Sequence, residues 1–227
     1  MDPAAALAAR LASAPADPLL THYDDVAGTR VELSATTLAN GVAKGAGLLV
    51  DELGVQPGDE VGLLLPAHWQ TAVALLACWW VGAVPVLGSG AGGVALVHQP
   101  LLADATADEV VGLALAPLGG PMRGAPAGTL DWGTATLAHP DRLPPRGPGV
   151  DVPAGPSLPE AARVLSALPW DDAPGVWWGL LGPLAAGGSI VLLTGPLDLA
   201  AAARRVQDER VTHVAGLAVP GLERVDG

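Results

Sequence analysis

Phenylalanine is absent from the 227 residues, and tyrosine and cysteine occur once each. The single cysteine, Cys78, excludes an internal disulfide and a multi-cysteine zinc site, so redox chemistry sets no compartment. It sits in the apolar run Ala72–Trp80, where a thiol is expected to be buried and inert. Basic residues are also scarce: Lys44 and ten arginines face 23 acids, a net charge of −12. Affinity for nucleic acid rests on cations displacing counterions from phosphates, so no nucleic-acid partner is expected. The lack of Phe beside seven Trp, like the lack of Lys, reads as codon bias and not as chemistry. No basic leader opens the sequence: Met1-Asp2-Pro3 is acidic, and Arg10 and Asp17 interrupt any signal-like stretch, which makes the cytoplasm the expected location.

One absence needs weighing. No Asp, Glu, Lys or Arg occurs from Val61 to Ala103. A membrane span would fit that length, but Pro66, Pro85, Pro100 and the Gly88–Gly93 cluster break it, and its flanks Asp59, Glu60 and Asp104 are acidic where Lys or Arg would be usual. The expectation is a buried strand, helix and strand, with no membrane partner. Half of the residues are apolar and 15% charged, enough for one large core or two small ones.

Along the chain, Ser34 can cap a helix running to about Leu53, with Leu38, Val42, Ala46, Leu49 and Leu53 on one face. Val61–Leu65 is a short apolar run suited to a sheet covered on both sides, His68 to Val81 is a second helix, and Ala83–Leu87 the next strand. Together they form a βαβ unit with parallel strands. From Gly88 to Pro156 the pattern is irregular. Val94–His98 and Val110–Ala116 are candidate strands, Leu130–Leu137 a candidate short helix, and Pro117–Pro126 and Pro140–Pro156 are loops by composition. Ser157 and Glu160 form an S-x-x-E capping box ahead of Ala161–Leu165, though Val164–Leu168 reads equally well as a strand. Gly175–Ala186 reads as a helix, Ser189–Thr194 as a buried strand, Asp198–Glu209 as an amphipathic helix and Val211–Ala218 as a final strand.

Three stretches in order, Gly28–Leu49, Leu53-Gly-Val-Gln-Pro-Gly-Asp-Glu-Val through Pro66, and Ala72 through Gly82-Ala-Val-Pro85, resemble the opening of adenylate-forming (AMP-binding) enzymes. That family includes acyl-CoA synthetases and the adenylation domains of nonribosomal peptide synthesis. Arg163–Pro169, Pro183–Leu193 and Glu209–Gly216 are similar to a later part of the same large domain. The resemblance covers 20–98 and 157–220, with 117–156 as a Gly/Pro-rich connection. It implies one α/β domain over 1–227, layered, with a largely parallel sheet and helices on both faces.

The resemblance also implies what is missing. The family holds ATP phosphates with a hydroxyl-rich glycine loop ending in Pro-Lys-Gly. Between Gly93 and Pro156 there is no Lys, and Pro153–Ser157 is a poor counterpart. Asp171 or Asp172 stands where many members carry His. The sequence stops at Gly227, before the adenine-binding region, the ribose-binding Asp and the domain with the catalytic Lys. The expectation is a truncated, degenerate relative that does not adenylate by itself, uses no cofactor, and binds a small molecule or a protein partner. An enzyme with altered chemistry in the old cleft is the alternative.

Candidate ligand-cleft residues are Trp170, Asp171, Asp172 and His213. The acid pair is bracketed by Trp170, Trp177 and Trp178, and of each adjacent pair, Trp79-Trp80 and Trp177-Trp178, at least one ring is expected to be partly exposed. A second candidate is a nucleotide loop at Gly88, Gly90 and Gly93, which satisfies G-x-G-x-x-G after a strand. A dinucleotide site also needs a helix opening at Gly93, and Pro100 stops one too early. The five histidines show no ligand spacing, and no metal site is expected.

Overall fold

Ser34 closes one strand and opens one helix, its hydroxyl accepting from the Thr37 N–H at 3.1 Å. This junction ends an N-terminal unit in the computed structural model, which describes residues 1–226. Helix α1 (Pro3–Ser13) is capped by Asp2, and strands β1 (Pro18–Asp24) and β2 (Thr29–Ser34) form an antiparallel hairpin. Helix α2 (Ala35–Gly47) follows and continues as a π turn over Leu48–Glu52. Leu38, Val42, Ala46 and Leu49 are fully or almost fully buried, as their spacing requires.

The uncharged stretch folds as β3 (Glu60–Leu64), α3 (Trp69–Val81), β4 (Val84–Leu87) and β5 (Val94–His98). Gly82 ends α3 with φ 83°, a left-handed turn open to glycine at little cost. Strand β6 (Glu109–Leu113), the short β7 (Leu130–Asp131) and helix α4 (Trp132–Ala135) come next. The second half supplies β8 (Arg163–Ser166), α5 (Ala173–Val176), a π turn at Trp177–Leu181, α6 (Gly182–Ala185), β9 (Ser189–Thr194), α7 (Leu199–Asp208), β10 (His213–Ala215) and β11 (Glu223–Arg224).

The largely parallel, helix-flanked arrangement is as expected, but it is divided into two sheets. One has the order β11-β10-β8-β9-β1-β2, the other β4-β3-β5-β6-β7. All pairings are parallel except the β1–β2 hairpin. Alternation explains how the first sheet is covered on both faces. Val164, Ile190 and Leu192 join a core with α2, α3 and the second sheet, while Leu165, Val191 and Leu193 turn to a smaller core with Ala202 of α7. Among the described residues no helix is long and apolar enough to cross a membrane.

One open alternative resolves as a strand, and one expectation is corrected. The Ser157–Glu160 capping box starts no helix. Ala161 takes φ 57°, and Arg163–Ser166 is instead a central strand between β9 and β10, where ladder hydrogen bonds on both edges outweigh local capping. The paired tryptophans are all buried, Trp79, Trp80, Trp177 and Trp178 each at 7% exposure or less. Helix α3 is enclosed on every side, and the Gly/Pro-rich segments wrap over the indoles. Trp80 Nε1 donates to the Pro144 carbonyl, Trp177 Nε1 to Pro156 and Trp69 Nε1 to Pro117, at 3.0–3.2 Å.

Candidate functional site

In parallel sheets, ligands bind beyond the carboxyl ends of the strands, where loops part and backbone groups lose their ladder partners. Here both sheets deliver such ends to one cleft of about 480 Å³. From the first sheet come Asp24 and Asp25 at the end of β1, Ala167–Pro169 after β8, Leu193–Gly195 at the end of β9 and Gly216 after β10. The second contributes Pro66–His68 after β3, His98 at the end of β5 and Leu115 after β6. Leu115 holds φ 50°, a conformation that costs a branched side chain energy and that clusters at ligand sites.

Behind the cleft wall His68 forms a pair with His22. His68 caps α3: its Nδ1 accepts from the Gln70 N–H at 3.1 Å. That fixes the neutral tautomer with its proton on Nε2, and Nε2 has no hydrogen-bond partner. The His22 ring meets the His68 ring edge-on at 4.7 Å, and its Nε2 lies 2.8 Å from Thr194 Oγ1. Burial lowers His22 to about 4 against the opposing pull of Asp24. Burial, then the neighbouring His22 and His98, lowers His68 to about 3, and burial lowers His98. All three are neutral at pH 7.

At the rim, Asp24 Oδ1 accepts from the Val26 and Ala27 N–H groups in the hairpin turn, and Asp25 is gripped by Arg205 at 2.5 and 2.9 Å. The bonds from Arg205 hold Asp25 below the usual carboxylate range, outweighing its burial. No Lys or Arg lines the cleft. Lys44 lies on α2, paired with Asp141 at 2.9 Å. Among the described residues, no group of three or more His, Cys, Asp or Glu side chains is gathered to hold a metal ion.

The residues selected from sequence stand outside this cleft. Trp170 is buried against Gly179 of the π turn, Asp171 is exposed, and Asp172 caps α5 by accepting from the Gly175 N–H at 2.7 Å. His213 begins β10, at the end opposite the cleft, and its Nδ1 lies 2.8 Å from Thr212 Oγ1. None of the four lines the cleft. Gly88, Gly90 and Gly93 connect β4 directly to β5, and no helix follows. The Gly90 carbonyl accepts from the Thr106 and Ala107 N–H groups, so the loop is committed to protein contacts. A Cβ on Gly90 would lie 3.2 Å from Ala105 Cα and 3.3 Å from Leu64 Cδ2. Gly90→Ala should therefore cost about 1–3 kcal/mol through crowding, not through φ, and a change below 0.5 kcal/mol in urea unfolding would contradict this packing.

Comparison with known proteins follows this geometry. The family described as AMP-binding enzyme matches residues 7–91. A TIGR03089 family protein of Mycobacterium tuberculosis is 41% identical over 224 residues, covering 88% of this chain and 92% of the relative. The chain belongs to that family. An acetyl-coenzyme A synthetase of Streptomyces avermitilis is 29% identical over 163 residues, but they make up only 22% of its length. In fold, this TIGR03089 family member matches the acyl-CoA synthetase of Brucella canis with a TM-score of 0.76 at 19% identity, covering 95% of this chain and 47% of that one. The acetoacetyl-CoA synthetase of Streptomyces lividans gives 0.73 at 21% identity, with 95% and 42% covered. The chain thus spans less than half of the solved synthetases whose α/β architecture it shares.

Proposed function

We propose that this chain is an adenylate-forming-enzyme-like protein that does not form acyl-adenylates by itself and that binds a small uncharged molecule in the cleft at the strand ends. The observation that carries the reading is the cleft's charge: two carboxylates, two neutral histidines and no cationic side chain. A nucleoside triphosphate entering there would lose hydration without gaining an ammonium or guanidinium partner. A neutral molecule instead meets the His68 and His98 rings and the Thr194 side chain without that cost. At about 3 and about 4, His68 and His22 are weak bases at pH 7, which argues against an altered proton-transfer activity in the same cleft. The Gly88–Gly93 loop is proposed to be structural, not a dinucleotide cradle.

Pyrophosphate exchange into ATP tests the first part. With a panel of carboxylic acids we expect no exchange above a control without protein; robust acid-dependent exchange would overturn the proposal. A thermal-shift screen tests the second. ATP and NAD should leave Tm unchanged, whereas a neutral amide or ester that occupies the cleft at a hundred times its Kd should stabilise by about 2.7 kcal/mol. The rise should shrink in His68→Asn, and a rise given by ATP alone would refute the charge argument.

A further inference from the structure

A sheet edge is where a folded chain still offers unpaired backbone groups, and each of the two sheets has two edges. Three of these edges are blunted. Strands β7 and β11 are only two residues long, and β4 carries Pro85, which has no N–H to donate. The remaining edge, β2, runs for six residues without proline, and its strand partner is β1 alone. Among the described residues, no backbone group outside that ladder hydrogen-bonds to the main chain of Thr29–Leu33.

The side chains of β2 are ordered about Val31. Arg30 and Glu32 share one face, 43% and 37% exposed and paired at 2.6 Å, while Val31 and Leu33 turn to the larger core. Charges on an edge strand ordinarily deter pairing with another chain. Their order here deters every register of a second copy except one. With two copies of β2 antiparallel and Val31 opposite the partner's Val31, Arg30 faces the partner's Glu32 and Glu32 faces the partner's Arg30, so the four charges alternate in sign. The same register sets Val31 on Val31 and Thr29 on Leu33 across the other face. Centring the pair on Arg30 or on Glu32, or aligning the strands parallel in register, opposes like charges. The net charge of −12 makes most other contacts between copies repulsive.

We infer that β2 is a self-association surface, pairing antiparallel with β2 of a second copy about a two-fold axis at Val31, so that two six-stranded sheets join into one. An interface of one strand from each side is small, which places it among the weak and reversible associations. The cleft shares no residue with β2, and the inference does not depend on the reading of the cleft.

Sedimentation velocity on the full chain should show a monomer–dimer equilibrium with a Kd on the order of 10–100 µM. Glu32→Arg lines up arginines from both copies across the axis and should weaken the dimer at least about tenfold, while circular dichroism shows the monomer still folded. Cross-linking under oxidised glutathione reads the register. In Val31→Cys the two thiols meet on the axis, where opposed Cα atoms lie about 4.5–5.5 Å apart, and a disulfide-linked dimer should form. In Thr29→Cys each thiol faces the partner's Leu33, and no such dimer should accumulate. The native Cys78 is fully buried and stays silent. The cysteine pair decides the matter if Glu32→Arg folds poorly. A parent that stays monomeric at about 200 µM would overturn the inference. So would a dimer indifferent to Glu32→Arg, which would lie on another surface, or Thr29→Cys cross-linking as fast as Val31→Cys.

Discussion

Replacing Glu209 by Ala is expected to destabilise the protein by about 3–5 kcal/mol, the cost of stranding a buried charge. Glu209 stands just beyond α7 with its side chain 7% exposed, and it joins three strands. Arg163 of β8 reaches its Oε2 at 2.6 Å and donates to its backbone carbonyl, while Tyr23 of β1 and Arg30 of β2 donate to Oε1 at 2.6 and 2.9 Å. Removing the carboxylate leaves the Arg163 guanidinium, 15% exposed, with only neutral partners at Ser189, Thr21 and the Glu209 carbonyl. Glu209→Gln keeps the shape and loses the charge, so it should cost less. Urea unfolding of both variants checks this, and a loss below 1 kcal/mol for the alanine variant would show that solvent replaces the carboxylate. Burial would raise the pKa of Glu209, but the bonds from Tyr23, Arg163 and Arg30 outweigh it and the net shift is downward. Its contribution is therefore present above the ordinary carboxylate range and lost as pH falls through its lower folded value.

The second large effect comes from the histidines and falls at milder acidity. His22 and His68 titrate at about 4 and about 3 when folded and near 6.5 when unfolded. Between pH 6.5 and 4 the unfolded chain binds the extra protons, so stability is full above 6.5 and declines as pH falls, by up to about 1.4 kcal/mol per pH unit for each ring. His68→Asn preserves an acceptor at the α3 cap, where Asn serves well, and removes one titrating group. The urea midpoint of this variant should fall less steeply from pH 6.5 to 4 than that of the parent. An identical slope would remove buried His68 as the cause.

Legibility followed the strength of local patterns. The βαβ stretch is readable because β3, α3 and β4 are predominantly apolar and punctuated by Pro66 and Gly82, and Ser34 and Asp198 cap their helices where their side-chain chemistry predicts. No local pattern marks the β1–β2 hairpin. Thr21 and His22 are buried polar residues in its middle, and their burial depends on β9 far along the chain, which no window around residue 20 contains. For the same reason His22 could not be joined to His68. The candidate site could have been approached another way: taking the residues just past each expected parallel strand would have selected His68, His98, Thr194 and Pro169. Trp170, Asp171 and Asp172 drew attention through their chemistry, one position too far along the chain.

The pairing of β1 with β9 bears on how the molecule is made. Leu20 lies beside Ile190, some 170 residues later, and the hairpin has no other strand to lean on. At about 5–20 residues per second, a ribosome needs on the order of 10–30 s to supply that partner. Throughout that interval the inner edge of β1 offers unpaired backbone groups and the side chains of Leu19 and Leu20, both buried in the finished fold, to any other nascent strand. The vulnerable species in biosynthesis is the half-made chain, and a chaperone that shields residues 18–24 would act on it before any ligand can.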